Sequence, residues 1–482
     1  MFAALILLML VPAAPAADQW ICLHSENFEL FTTSDERSGH DALVFFEQVR
    51  RAFTEILGIK LPERKPTTIL AFRNEQAFAP YRPQNNLAAY SMSMPGRDFI
   101  VMQDLVPEHY PIGLHEFTHV IIGQAGIKLP VWLEEGFAEL YSTLKPAGRK
   151  IFLGHVIPAR LQQVQAGLID LREVLRADRQ SSLYHDDDRI GIYYGESWAL
   201  AHMLKFSEKY SPRFDRVLDA IGRGDSSEQA LQAVYGETIE QIQLDLTAYV
   251  HGSHFREGVI NGKLDKPVGD PKRVPVDQVN LGVLLAAIEV RGPKRQDAIN
   301  KLQELIDANP GNLTPLEVLA WIRLAGNDAQ AAVTSFLRAF EAGTRDPNLC
   351  FQFAIKMRPV IPDSDYVAAL RRAVEIDPSF PAAQMQLAAY AFNKHDYAEA
   401  VTRLHLVKKL ERKEAFMYYR ALTIAAFQTG DLKEARSSAT RTQQYAVSPD
   451  EKKLADEMVK YVNSDKPPAN APGFGANPLP QQ

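Results

Sequence analysis

The strongest constraint on this chain is a pair of histidines, His115 and His119, within an otherwise apolar stretch from Pro111 to Ile122. The apolar character of this stretch predicts one buried helix. Residues four apart lie one turn above each other on a helix, so both imidazoles can face a single point. Glu116 lies about 100° further round the helix and borders that point without occupying it. Two imidazoles beside a free carboxylate predict a zinc site with Glu116 as a general base.

A catalytic zinc ion usually takes three protein ligands, so the third must come from elsewhere in the chain. Two glycines and Pro130 follow the first helix and predict its end and a reversal of the chain. Residues 131–144 then predict a second helix that runs back beside the first. On this helix Glu135 and Glu139 share a face, and Glu135 is the expected third ligand. Glu139 is placed to accept the spare N–H of a zinc-bound histidine and so fix its tautomer.

Together the two helices resemble the gluzincin metallopeptidases, whose HExxH helix is followed by a helix that carries a glutamate ligand. The second motif, Trp-Leu-x-Glu-Gly-Phe-Ala at 132–138, is most similar to the aminopeptidase-type branch and the bacterial peptidase MA-like families. The resemblance implies metal ligands at His115, His119 and Glu135, and a general base at Glu116. It also implies an α+β zincin-like metallopeptidase domain in which an edge strand binds an extended peptide by β-augmentation.

A third helical stretch, residues 193–200, follows the two motifs and begins with two tyrosines. Peptidase MA-like families have a helix with a tyrosine and a serine at this place, and related gluzincins set a tyrosine or histidine against the developing oxyanion. The resemblance therefore implies Tyr194 as the oxyanion donor, with Tyr193 as the alternative. Packing of both rings in a helical core is the competing interpretation. The acidic run from His185 to Asp188 is interpreted as a solvated turn rather than a metal site.

Upstream of the histidines the patterns predict a mixed α+β arrangement. Alternating residues predict a strand between Trp20 and Thr33, and helical spacing of apolar residues predicts a helix over 35–57. Residues 67–72 and 87–103 predict further strands. From the second motif to Tyr249 the chain is expected to be mainly helical.

The N-terminus predicts export. Residues 2–12 are almost wholly apolar and Ala14-Pro15-Ala16 is a small-x-small cleavage site, which together predict a signal peptide over residues 1–17 and a periplasmic or secreted protein. No later stretch predicts a transmembrane span. A net charge of −6 gives no sign of a nucleic-acid partner. Cys22 and Cys350 are the only cysteines; they are expected to be free and buried, with one long-range disulfide as the alternative.

An internal repeat organises the C-terminal half. The pattern Asp-x-x-Glu-Ala begins at Asp396 and again at Asp431, 431 − 396 = 35 residues later. Two helix-ending prolines, Pro310 and Pro378, are 378 − 310 = 68 residues apart, which is twice 34. A period near 34 with alternating helix patterns resembles tetratricopeptide repeats, and about five helical hairpins are expected from 279 to 463. Unrelated helical hairpins are the alternative.

The predicted domain organisation follows from these patterns. A zinc metallopeptidase-like domain is expected over 18–253, before a Pro/Gly-rich linker over 254–278. The all-α repeats follow over 279–463, and the proline-rich end, 464–482, is expected to be a disordered tail.

Two functions are compatible with this organisation. The first is an exported zinc peptidase that cleaves a protein or peptide substrate, with the repeats recruiting a protein partner. The second is a non-catalytic envelope scaffold or chaperone-like repeat protein that retains a retired peptidase domain. Intact ligands together with an intact Glu116 favour the enzyme. The sequence does not distinguish an endopeptidase from an exopeptidase.

Overall fold

A computed structural model describes most of the chain, and its secondary structure forms two compact units with the main boundary at Leu281. The described residues are 19–56, 58–61, 66–84, 87–94, 97–148, 150–186, 189–252, 255–261, 269–292, 294–408, 410, 412–464 and 479. The predicted signal peptide at residues 1–17 lies outside them. No helix among the described residues has the length and apolar character that crossing a bilayer requires.

The first unit combines β-strands and helices. In chain order its elements are β1 (Ile21–His24), β2 (Phe28–Thr32), α1 (Glu36–Arg51), β3 (Thr67–Ala71), α2 (Glu75–Phe78), β4 (Ala89–Met94), β5 (Arg97–Met102), α3 (Tyr110–Gln124), α4 (Val131–Ser142), β6 (Lys145–Ala147), β7 (Lys150–Leu153), α5 (Pro158–Ala166), α6 (Leu171–Arg176), α7 (Ser182–His185), α8 (Ile190–Phe206), α9 (Phe214–Gly222), α10 (Ser227–Tyr235), α11 (Ile239–His251), β8 (Gly258–Asn261) and β9 (Lys272–Val274). A π-helical turn, Ala52–Ile56, extends α1.

A six-stranded mixed sheet, in the order β4-β5-β3-β2-β1-β9, forms the centre of this unit. The β2–β3 and β3–β5 pairs are parallel and the other pairs are antiparallel. The single strand predicted between Trp20 and Thr33 is wrong, because the chain turns there and the N–H of Ser25 bonds the carbonyl of Phe28 at 2.9 Å. The result is the hairpin β1–β2. Strand β4 lies at one edge of the described sheet and β9 at the other.

One face of the sheet is covered by α1 and α3, whose aromatic side chains meet in the core. The ring of Phe28 on β2 lies 5.9 Å from that of Phe46 on α1 and 5.2 Å from that of Phe117 on α3, measured between centroids. All three side chains are buried. Because Phe117 lies between the two histidines in sequence, its anchorage fixes the rotation of α3 and hence the direction in which the histidines point.

Two parts of the first unit differ from the sequence-based prediction. Strands β6 and β7 follow α4 directly, in the stretch that was expected to be mainly helical and that otherwise is so. The linker predicted over 254–278 is also wrong in its described part, since β8 pairs with β7 and β9 pairs with β1. Glycines and prolines indicated a break in regular structure, but short strands can form between such residues when a neighbouring strand offers unpaired backbone groups.

In the part of the second unit that the structure describes, the regular secondary structure is helical. Its helices are α12 (Gln278–Glu289), α13 (Arg295–Ala308), α14 (Leu313–Leu324), α15 (Ala329–Glu341), α16 (Pro347–Met357), α17 (Asp363–Ile376), α18 (Pro381–Asn393), α19 (Tyr397–His405), α20 (Arg412–Gln428), α21 (Leu432–Tyr445) and α22 (Pro449–Val462). Consecutive helices pack in pairs from α12–α13 to α20–α21, and α22 packs against α21. The predicted order, an α+β region followed by a region of paired helices, is confirmed.

The repeated Asp-x-x-Glu-Ala motif has a local structural role. Asp396 and Asp431 are the N-cap residues of α19 and α21, and each side chain accepts a hydrogen bond from the backbone N–H three residues later. Such a cap satisfies a backbone donor that the first turn of a helix leaves without a partner. The motif therefore marks the start of the second helix in each of two pairs. The predicted disordered tail is contradicted at one residue, since Leu479 is buried against α18–α20.

Helices α4 and α8 approach each other closely at Gly136. A Cβ added to Gly136 would lie 2.5 Å from the backbone oxygen of Ser197 and 2.9 Å from the Cβ of Ala201. Both distances are shorter than van der Waals contact, so only glycine permits this spacing. Gly136 directly follows Glu135, and Ser197 lies one turn from Tyr194. The close approach of the two helices therefore also brings Glu135 and Tyr194 towards each other.

We predict that Gly136→Ala lowers the free energy of unfolding by about 1–3 kcal/mol, because the added methyl group must push the helices apart. Denaturant unfolding of the full chain measures this. Gly123→Ala is the matched control: Gly123 is also helical, but a Cβ there meets nothing within 4 Å. It should be neutral or stabilising by up to about 1 kcal/mol. Equal stability of the two variants would contradict the prediction.

Helix α8 also carries a fully buried carboxyl group, that of Glu196. One of its oxygens accepts a hydrogen bond from the N–H of Ile169 at 2.8 Å. Burial raises the pKa of Glu196 to about 8, although the Ile169 N–H and the Gln243 amide oppose the rise. The native state therefore binds this proton at pH values where the unfolded chain has released it.

We predict that this difference makes the wild type lose stability as the pH rises from about 4.5 to 8, since the native state binds more protons than the unfolded state there. Glu196→Gln removes the titrating group, so its stability should depend less on pH and exceed that of the wild type above about pH 8. Thermal unfolding across this range measures the effect. Glu208→Gln, at a side chain that is 77% exposed, is the control. Parallel profiles for wild type and Glu196→Gln would refute the argument.

Candidate metal centre

The site forms where α3 and α4 run beside each other after a tight reversal. Gly126 has a φ of +67°, a left-handed conformation that favours glycine. Its N–H bonds the carbonyl of Gly123 at 3.1 Å, and the N–H of Ile127 bonds that of Ile122 at 3.1 Å. These bonds satisfy the last carbonyls of α3. The chain then reaches α4 through Pro130, as the glycines and this proline predicted.

Three donor atoms converge between the two helices. The Nε2 atoms of His115 and His119 lie 3.2 Å apart, and Oε2 of Glu135 lies 3.5 Å from each of them. Ligands bound at about 2.0–2.1 Å to a tetrahedral ion lie about 3.4 Å from one another. Among the described residues, these three side chains therefore have the identity and the spacing of a zinc site.

The charged side chains around this point have a net negative charge, which would favour a bound cation. Four carboxylates, of Glu116, Glu134, Glu135 and Glu139, and two guanidinium groups, of Arg160 and Arg179, surround the two histidines. With neutral imidazoles their formal charge is 2 − 4 = −2, which a divalent ion would balance. In protein alone this charge acts on the imidazoles: burial lowers the pKa of His119, but contacts with Glu134 and Glu135 raise it overall to about 10.

Glu134 is a further residue of the candidate site that was not predicted from the sequence. Nδ1 of His119 donates to Oε1 of Glu134 at 3.0 Å, and Nη2 of Arg179 donates to the same oxygen at 2.9 Å. The carboxylate thus fixes which ring nitrogen of His119 carries the proton and leaves Nε2 available as a donor atom. The sequence signal was present, since a metal-bound histidine needs an acceptor for its second nitrogen, but Glu139 was assigned that task.

Glu139 lies further from its histidine than expected. Its Oε1 is 3.7 Å from Nδ1 of His115, beyond hydrogen-bond distance, and is held instead by Arg160. The Nε and Nη2 atoms of Arg160 donate to this oxygen at 3.0 and 2.6 Å. The guanidinium also lies over the ring of Tyr194, 5.3 Å from its centroid. Arg160 of α5 therefore connects a side chain of α4 to one of α8.

The two tyrosines of α8 have different environments. Tyr194 borders the cavity beside the histidines, and its ring lies 6.4 Å from that of His115 in an edge-to-face arrangement. Tyr193 is fully buried in the core, where burial raises its pKa above the usual range. Of the two candidates, only Tyr194 lines the cavity.

Glu116 faces the same cavity from the other side. The cavity has a volume of about 270 Å³ and is bordered by both histidines, Glu116 and Glu135. The hydroxyl of Ser91 donates to Oε2 of Glu116 at 2.8 Å and fixes the orientation of the carboxylate. Ser91 belongs to the edge strand β4, whose residues 90–93 line the cavity. Ser91 could not be predicted from the sequence, because only the folded sheet brings β4 beside α3.

A second group of possible ligand atoms lies on the hairpin β1–β2. Cys22, His24 and Glu29 place one donor atom each within 4.8 Å of one another. However, Nη1 of Arg97 lies 3.6 Å from Oε2 of Glu29, and Lys272 of β9 is paired directly opposite His24. These cations make the cluster a weaker candidate for a metal ion than the histidine site. Cys22 and Cys350 are both free and buried.

Comparison with known proteins yields little that bears on this site. No protein-family model matches the chain, and no curated protein matches it. Among solved structures, the chain is similar to the crystal structure of PilW, described as a widely conserved type IV pilus biogenesis factor. The identity is 17% and the TM-score 0.25, over 39% of this chain and 87% of that chain. This TM-score is too low to bear on what the present chain does.

Proposed function

We propose that the chain is a zinc-dependent peptidase with a zincin-like N-terminal unit. The observation that carries the proposal is the convergence of His115 Nε2, His119 Nε2 and Glu135 Oε2, at separations of 3.2 to 3.5 Å, in a cavity that Glu116 also borders. Glu116 is not one of the three converging ligands, so its carboxylate remains available as a base. This division of tasks between two glutamates is what metal-assisted hydrolysis requires.

The chain's own residues then have separate tasks in hydrolysis. Bound zinc would acidify a water molecule and polarise the scissile carbonyl. Glu116, oriented by Ser91, accepts the proton of the attacking water and later delivers it to the leaving amine. Tyr194 donates a hydrogen bond to the oxygen that becomes negatively charged, and Arg160 holds its ring in place. Glu134 sets the tautomer of His119.

Strand β4 is the proposed binding site for the backbone of the substrate. Its position at the sheet edge leaves backbone groups available to an extended peptide, which would add to the sheet as a further strand. Residues 90–93 of β4 line the cavity, so such a peptide would pass directly beside Glu116. This arrangement favours cleavage within an extended segment of a protein or peptide.

The helical repeats support a second, compatible role. Five successive helix pairs form an array of the kind that binds other proteins, and we propose that this unit recruits the substrate or a partner. If the metal site does not turn over, the same array would act as an envelope scaffold. Export remains a proposal that rests on the apolar residues 2–12 and the Ala14-Pro15-Ala16 cleavage pattern.

We predict one zinc ion per chain in the purified protein, and loss of that ion in His119→Ala because one of three ligands is removed. Elemental analysis after exhaustive dialysis measures the content. His24→Ala is the matched control, since His24 belongs to the cluster on β1–β2, and it should retain full zinc. Equal and substoichiometric zinc in all three proteins would rule out the metal site.

We predict that Glu116→Gln retains zinc and stability but loses hydrolysis by about 10²–10⁴-fold, because an amide cannot accept the proton of water. Glu135→Gln should instead weaken zinc retention, since it replaces a charged ligand. Cleavage of a mixed peptide library, with metal content measured in parallel, separates the two effects. Wild-type cleavage rates in Glu116→Gln would refute the mechanism. A wild type that binds zinc and cleaves nothing would favour the scaffold.

A further inference from the structure

The second unit contains a buried residue that is far along the chain from its neighbours in space. Leu479 is only 4% exposed, and it packs with apolar residues of α18, α19 and α20. We call this set the leucine socket; its buried members are Ala388, Ala389, Leu404, Tyr418, Ala421 and Leu422. Tyr418 donates its hydroxyl hydrogen to the carbonyl of Leu404 at 2.9 Å, which satisfies the polar end of the ring and leaves its apolar part to the socket.

The sequence around Leu479 is that of an extended ligand rather than of another repeat. Pro478 and Pro480 flank the leucine. Proline lacks a backbone N–H and disrupts a helix interior, and it favours the extended polyproline conformation. From residue 465 to the C-terminus, Phe474 and Leu479 are the only large apolar side chains. Of these two, Leu479 is the one that the structure describes, and it supplies an apolar anchor at the socket.

We propose that the leucine socket is a peptide-docking site of the repeat unit and that the chain's own C-terminal segment, anchored by Leu479, occupies it reversibly. Fourteen residues, 465–478, separate Leu479 from the end of the described array at Ser464. Because the connection is covalent and only fourteen residues long, it keeps Leu479 at an effective concentration of about millimolar near the site. A single apolar anchor is therefore sufficient to hold the segment in place, and a competing peptide can still displace it.

The proposal identifies the chemistry of a competitor. It would be a segment with a leucine between two prolines, because the leucine that the socket holds, Leu479, stands between two prolines in the sequence. The C-terminal segment would then reduce the affinity of the repeats for such a partner until the partner's concentration exceeds that of the tethered end. This inference is independent of the metal centre and does not require that the protein is a peptidase.

The accessibility of the socket tests the proposal in the full chain. Met385 is a partly buried residue that packs against the socket, and Met385→Cys places a thiol there without added volume. Cys22 and Cys350 are 2% and 0% exposed, so they should react slowly in folded protein. The rate of thiol labelling of Met385→Cys is compared alone, with Leu479→Ser, and with Leu432→Ser. Leu432 is a 44% exposed leucine of the same unit and is the control.

We predict that Leu479→Ser increases the labelling rate of the reporter about tenfold or more, whereas Leu432→Ser leaves it unchanged, because only the former empties the socket. A synthetic peptide of residues 470–482, added at millimolar concentration, should restore protection in the Leu479→Ser protein. The same peptide with serine at position 479 should not. Protection in the parent reporter should not depend on protein concentration, since the occupant is tethered to the same chain.

Several outcomes would overturn the proposal. An unchanged labelling rate in Leu479→Ser would show that the leucine does not cover the socket. Protection that falls on dilution would show that a second copy supplies the occupant. Rapid labelling of Cys22 and Cys350 in Leu479→Ser, with loss of helical circular dichroism, would show that the segment is an integral part of the fold. Leu479→Ala provides a milder variant in which to repeat that comparison.

Discussion

The buried negative charge between α3 and α4 is the constraint on which the rest of the first unit depends. Carboxylates are costly to bury unless hydrogen bonds or cations compensate them. Two arginines supply part of the compensation: Arg160 reaches Glu139 from α5, and Arg179 reaches Glu134 from the segment after α6. Helix α5 and the turn after α6 therefore contribute charge to the site as well as packing contacts. A divalent ion would complete the neutralisation.

The part of the site that the sequence predicted is the part set by local geometry. His115 and His119 face one point because of helix periodicity alone, and Glu135 joins them because glycine and proline dictate one reversal. Ser91 and Arg160 could not be predicted in this way. Their positions depend on strand order and on how α5 packs, and neither leaves a periodic signal in the residues themselves. Glu134 was within reach of local reasoning, but a competing acceptor, Glu139, was chosen for the histidine.

The fold, too, could be predicted only where a regular sequence pattern determines it. The presence of about five helical hairpins followed from a period near 34 residues, whereas the capping role of the recurring aspartates, Asp396 and Asp431, became apparent only in the structure. The strands between 258 and 274 did not, because short strands in a Pro/Gly-rich stretch are stabilised by their neighbours rather than by their own side chains. The burial of Leu479 was missed for a related reason. Composition predicts whether a segment can form a hydrophobic core of its own, but it does not predict whether one of its side chains packs into a core formed by other helices.

The pairing of β9 with β1 has a consequence for dividing the protein. Lys272 to Val274 supply the last strand of the central sheet, although they follow the final helix of the first unit by about twenty residues. An N-terminal fragment that stops at residue 253 would lack this strand. The backbone N–H and C=O groups on one side of β1 would then be unpaired, and this exposed edge could pair with another copy of the fragment. The smallest stable fragment of the first unit should therefore extend through Val274, and a shorter fragment that precipitates would reveal an exposed sheet edge rather than an unstable metal centre.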